Sequence, residues 1–114
     1  MSTPICHLEI NVKNLPRAKK FYSKLMGWKF YPMSPGYELF SLDKKSGGAL
    51  SKGRTGSNAI LPYFHVKSIE QTLKKAGALK AKIIVPKTEI SGNHGFFAHL
   101  RDSEGNTIGI WNRK

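Results

Sequence analysis

Apolar and polar residues alternate through residues 5–12, with Ile5, Leu8, Ile10 and Val12 mostly on the inward side, the period-two pattern of a half-buried strand. The spacing then turns helical. Leu15, Ala18, Phe21, Tyr22 and Leu25 recur on one side behind Asn14, a suitable N-cap, and Pro16 falls in the first turn, where a missing N–H costs nothing. Gly27 supplies the stop. Strands are predicted over 28–33 and 37–42, separated by a turn with Pro32, Pro35 and Gly36, and over 48–51. A Gly-, Ser- and Arg-containing stretch, 52–58, reads as an exposed linker.

The second half repeats this order. His7-Leu8-Glu9-Ile10-Asn11-Val12 is echoed by Leu61-Pro62-Tyr63-Phe64-His65-Val66, and the segment from Tyr37 to Asp43 by the one from Phe96 to Asp102. A strand is predicted over 61–66, then a short helix capped by Ser68, carrying Ile69, Leu73 and Ala76 and ended by Gly77. A strand over 81–85 follows, then a polar loop over 87–94, then a hairpin of 96–101 and 106–111 around Asp102-Ser103-Glu104-Gly105. The architecture is βαβββ twice, an α+β fold. Two such units are too few for a solenoid, so they should pack as one domain over 1–114, with module one at about 4–53, a linker at about 53–59 and module two at about 60–113.

Composition narrows the setting. With 114 residues and 39% hydrophobic content, the chain is long enough for one core. No apolar run approaches the ~20 residues of a membrane span, and the N-terminus lacks a signal pattern, so no membrane partner and a cytoplasmic location are expected. Cys6 is the only cysteine, which excludes an intrachain disulfide and reads as a small buried apolar group. The net charge is +12, but its 15 lysines and 4 arginines are scattered over both halves. A nucleic-acid binder would more often concentrate them on one element, so a basic nucleic-acid-interacting domain is the weaker alternative to a solvated surface. What the charge does imply is a bias toward anionic ligands.

The run from His7 to Val12, then Arg17-Ala18, Phe21-Tyr22, Leu25 and Gly27-Trp28, with Gly95-Phe96-Phe97-Ala98 and Asp102-Ser103-Glu104-Gly105-Asn106-Thr107-Ile108-Gly109-Ile110-Trp111, resembles the glyoxalase/bleomycin resistance/dioxygenase group, the vicinal oxygen chelate superfamily. The resemblance covers essentially the whole chain. It implies two βαβββ modules in a curved eight-stranded mixed sheet, helices on the convex side, a cleft on the concave side, and commonly a homodimer. Metal enzymes of the family, such as lactoylglutathione lyase, draw one ligand each from the first and last strands of both modules. Carried over, these positions are His7, Leu61, one near Leu50, and Gly109, and only His7 offers a donor. No cofactor is therefore expected, nor standard lactoylglutathione lyase chemistry. The alternative is a metal-dependent lyase, isomerase or dioxygenase with a rearranged set of His7, Glu9 and His99, a two-histidine, one-carboxylate site.

A strand's period of two also puts His7, Glu9 and Asn11 on one face, Leu61, Tyr63 and His65 on another, and Phe97, His99 and Arg101 on a third. Without metal, these make a small-molecule site: Tyr63, His65, Phe97, Arg101 and Trp111 as ligand-binding residues, and His7, Glu9 and His99 as catalytic candidates with His or Glu as general base. Trp111 serves either ligand stacking or a partner contact, and His94, in a Gly-flanked loop, reads as an ordinary surface histidine and at most a lid residue. Bleomycin-binding members hold a cationic drug; a chain of this charge would repel one, so an anionic or aromatic ligand is expected.

Overall fold

The structure, a computed structural model, describes residues 3–56 and 59–114; Met1 and Ser2 of the N-terminus and Ser57 and Asn58 of the expected linker lie outside the described residues. Contacts divide the chain into two compact units, Cys6–Leu61 and Pro62–Lys114 together with the N-terminal residues up to Ile5. The first module runs β1 (Ile5–Val12), α1 (Leu15–Met26), β2 (Tyr31–Ser34), β3 (Tyr37–Ser41) and β4 (Gly47–Lys52). The second runs β5 (Ile60–His65), α2 (Ile69–Ala78), β6 (Lys82–Glu89), β7 (Phe96–Arg101) and β8 (Thr107–Asn112). Strand order is β2-β3-β4-β1 in the first and β5-β8-β7-β6 in the second. In each module the first and last strands pair in parallel and the others antiparallel. The α+β class, the βαβββ repeat and the mixed pairing are as the sequence predicts.

Each helix packs on one face of its module's strands. In the first, Leu8, Ile10 and Val12 of β1, Phe40 of β3 and Leu50 of β4 meet Leu15, Ala18 and Tyr22 of α1. Trp28 stacks on Phe40 at 4.1 Å and on Tyr22 at 5.1 Å, clamping helix to sheet. In the second, Ala98, Leu100 and Ile110 bury against Ile69 and Ala76 of α2. Asn14 and Ser68 cap the helices as expected, their side chains accepting from Arg17 N and Gln71 N, and Gly27 closes α1 at φ 74°.

Several expectations are corrected. Trp28 lies outside β2, because its ring is drawn into the aromatic stack. Gly77 does not end α2; the helix runs to Ala78, and the positive φ needed past its end falls on Lys80. The polar stretch after Pro86 begins as strand, since β6 continues to Glu89 by pairing Thr88 with Phe97 and Glu89 with Phe96, and only the residues from Ile90 to His94 form the loop. Pro86 is tolerated because β6 is the last strand of its order, with one neighbour only. Lys52 belongs to β4, not to the linker. Ile5, Phe21 and Leu25 are exposed, the last two beside Arg17, Lys20 and Lys24 in a shallow hollow of about 480 Å³ on the outer side of α1.

Two glycines in regular structure have opposite surroundings. A Cβ on Gly48 would stand 2.2 Å from the Leu8 carbonyl oxygen and 2.6 Å from the Phe40 ring, whereas one on Gly77 would meet nothing within 4 Å. Gly48→Ala should lower unfolding free energy by about 2 kcal/mol through overpacking. Gly77→Ala should raise it by about 0.5–1 kcal/mol through helix propensity. Urea denaturation midpoints of the two variants check both signs.

Candidate functional site

In the first module, burying Leu8, Ile10 and Val12 under α1 commits His7, Glu9 and Asn11 to the other face of β1. Parallel pairing sets Glu9 beside Ala49 of β4, and antiparallel pairing sets Ala49 beside Leu39 of β3. Ala49 is small. The long side chain of Tyr37, on β3, brings its hydroxyl to both β1 residues, donating to Glu9 Oε2 at 2.9 Å and lying 3.1 Å from His7 Nε2. A phenol has one proton, so with that proton donated in the hydrogen bond to Glu9 the His7 Nε2–H is the donor to Tyr37, and Nδ1 of the neutral ring carries the lone pair. Burial pushes the His7 pKa down from its ordinary value of 6.5, so this neutral state prevails at neutral pH.

The second module uses the same frame with different chemistry. Tyr63 of β5 pairs with Gly109 of β8, and Gly109 with His99 of β7. A Cβ on Gly109 would fall 2.4 Å from the Tyr63 ring, so its absence lets that ring lie across β8 and put its hydroxyl 2.7 Å from His99 Nε2. Phe97 packs beside both, 6.4 Å from Tyr63 and 5.2 Å from His99 between ring centroids. Tyr63 is buried; His99 and Phe97 are half-buried. Desolvation lowers the His99 pKa as well. Arg101 follows on the same face, paired with Lys82 on one side and Thr107 on the other.

Trp111 has a local task. Its indole N–H donates to the His94 carbonyl at 2.9 Å, and Gly95, at φ 89°, brings its backbone so close that a Cβ there would meet the indole at 3.0 Å. Trp111 therefore props the loop before β7, with exposed His65 edge-on to it at 5.1 Å. His94 is held through its backbone carbonyl.

The residues the sequence points to thus form three groups: His7 with Glu9; Tyr63 with Phe97 and His99, with Arg101 further along the same face; and His65 with Trp111. Strand periodicity alone does not point to Tyr37; the signal for it is the small Ala49 between β3 and β1, visible only once the register is known. Among the described residues, no three His, Cys, Asp or Glu side chains group as a metal site requires. The register also moves one family ligand position. Leu50 is fully buried under α1, and the residue equivalent to Gly109 is Ala49, since Ala49 pairs with Glu9 as Gly109 pairs with Tyr63. Likewise Tyr37 corresponds to Phe97, not Phe96, because Tyr37 pairs with Ser51 where Phe97 pairs with Trp111.

The model of the Glyoxalase/Bleomycin resistance protein/Dioxygenase superfamily matches residues 5–110. The chain belongs to this superfamily. No curated protein sequence matches the chain. Among solved structures, it is similar to a hypothetical protein from Bacillus halodurans C-125 (TM-score 0.74, 16% identity, covering 100% of this chain and 96% of that one). It is also similar to a superfamily member from Vibrio splendidus 12B01 (TM-score 0.72, 13% identity, 96% and 98% covered). A third is a Streptomyces coelicolor methylmalonyl-CoA epimerase variant in complex with 2-nitronate-propionyl-CoA (TM-score 0.71, 13% identity, 96% and 93% covered). At these identities the likeness is one of fold.

A divalent metal at the superfamily's four positions does not fit this chain, whose residues there are His7, Ala49, Leu61 and Gly109. What the two faces offer is proton-holding and aromatic chemistry around uncharged histidines. Because burial lowers the folded-state pKa of both His7 and His99, the unfolded chain takes up protons first as the pH falls. Stability should be full above about 6.5, decline below it, and level off beneath the depressed folded values. Thermal unfolding between pH 8 and 5 checks this, and a His7→Gln, His99→Gln double variant should lose part of that slope.

Proposed function

We propose that the chain holds a small anionic or aromatic molecule against the polar face of the second module, on Tyr63, Phe97, His99 and Arg101. The observation that carries this reading is the Tyr63–His99–Phe97 cluster, a set of rings with one internal hydrogen bond on the side of β7 and β8 that α2 leaves uncovered. The half-buried rings of Phe97 and His99, with the Arg101 cation further along the same face, suit a flat ligand with negative charge. The overall charge of +12 favours the same sign. No helix among the described residues is long and apolar enough to cross a membrane. The homodimer that the family resemblance implies is open to light scattering at micromolar concentration.

Binding to the folded state must raise its melting temperature, by about 2.7 kcal/mol of stability at a hundredfold excess over Kd. Screening small aryl acids by thermal shift should yield a stabilising compound. Phe97→Ala or His99→Ala should abolish the shift while leaving the unliganded protein folded, and Lys74→Glu with Lys75→Glu should leave it intact. The opposite pattern would move the site to the lysine-rich surface.

A second reading, proton abstraction, is favoured by the His7–Tyr37–Glu9 chain of the first module. Neutral His7 would take a C–H proton next to a carbonyl at Nδ1, and the Tyr37 and Glu9 hydrogen bonds would stabilise the resulting imidazolium. NMR in heavy water should then show deuterium entering the α-carbon of a substrate oxo acid or ester, with at least about a hundredfold loss on His7→Gln. Exchange that survives His7→Gln would rule this base out.

A further inference from the structure

We propose that Lys82, Arg101 and Thr107 form an oxyanion site that takes the carboxylate or phosphate end of a ligand whose flat apolar body lies on His99 and Phe97. This rests on the second-module reading above and specifies its ligand. Lys82 is the direct cross-strand partner of Arg101 in β6 and β7, and Thr107 is the direct partner of Arg101 in β7 and β8. Paired residues leave a sheet on the same face, so two cations and a hydroxyl stand in one row across three strands.

Like charges directly opposite one another are unfavourable unless something of opposite sign lies between them. Among the described residues, the ion pairs are Lys19 with Glu38 and Lys87 with Glu70, and neither involves this row. The adjacent carboxylate, Asp102, is engaged by its own turn, accepting from Glu104 N and Asn106 N and from the Asn106 amide. The Arg101 Nε is buried without a hydrogen-bond partner among the described residues. A buried donor left unmet is costly, so this position keeps its arginine at the expense of stability, and the terminal N–H groups of the guanidinium, rather than the enclosed Nε, are the fork that would meet two oxygens.

His99 lies two residues back along β7 on the same face, a step of about 7 Å, and Phe97 two residues further. The ligand's charge and its flat body are therefore separated by about one such step.

The test is NMR titration with 3-phenylpropanoate, 2-phenylethyl phosphate and the uncharged 3-phenylpropanamide, at fixed ionic strength. The two oxyanions should bind at least about tenfold more tightly than the amide, the worth of about 1.4 kcal/mol of charge-assisted contact. Arg101→Gln should erase that margin with the amide's affinity unchanged, while Lys44→Gln with Lys45→Gln, which removes more charge elsewhere, should preserve it. Should Arg101→Gln not fold, Lys82→Gln and Thr107→Val must each narrow the margin. The ranking of carboxylate against phosphate identifies the source of the oxyanion. Equal affinity for acid and amide, with Phe97→Ala weakening both, would overturn the oxyanion site and leave the second-module face standing. A margin lost equally in the Lys44, Lys45 variant would also overturn it, as nonspecific attraction. No binding by any of the three at millimolar concentration would remove the face itself.

Discussion

The parallel pairing of first and last strands in each module is the constraint on which the rest depends. Once β1 lies beside β4 with Glu9 against Ala49, and β5 beside β8 with Tyr63 against Gly109, alternation decides which side chains of β1, β3 and β4 and of β5, β7 and β8 share a face. A slip of one residue would turn Leu8, Ile10 and Val12 away from α1 and drive His7 and Glu9 under it. The small residue opposite each functional side chain has a second effect, opening the space through which a tyrosine reaches a histidine. Tyr37 arrives over Ala49 from β3, and Tyr63 over Gly109 from β5.

One frame therefore supports two chemistries. Position for position, Glu9 corresponds to Tyr63, Tyr37 to Phe97 and Leu39 to His99. The first module gains a carboxylate at the end of a hydrogen-bonded chain; the second exchanges it for a ring cluster with a guanidinium further along. Both keep a histidine whose charged form is disfavoured by burial. Residues of a duplicated unit that no longer have to agree with one another can specialise, while the core-facing residues between them stay apolar under the helices.

Much of this was legible in the sequence because the signals were local. Asn14 and Ser68 announce helix starts, Gly27 a helix end, and the alternation of His7 to Val12 and Phe96 to Arg101 a two-faced strand. What was not legible depends on pairing between distant segments. Trp28 has the residue type of a strand, yet two flanking rings hold it in a stack that only tertiary structure creates. Residues 87–89 look like a loop, and become strand because β7 offers hydrogen bonds. Leu50 and Ala49 are neighbours in sequence on opposite faces, and nothing local says which one faces His7. The partnerships of Tyr37 and of the Lys82–Arg101–Thr107 row share this character, since each joins residues brought together only by register.

The placement of the two tryptophans has a spectroscopic consequence. Trp28 is stacked between Tyr22 and Phe40 in the core of the first module, while Trp111 stands beside His65 and fastens the loop ahead of β7 in the second. Each module thus carries its own intrinsic fluorophore. Trp28 emission reports the helix-on-sheet packing of the first module, and Trp111, hydrogen-bonded to the His94 carbonyl, reports release of the loop ahead of β7 in the second. A single phenylalanine replacement at either position would leave a chain whose emission isolates the behaviour of one half.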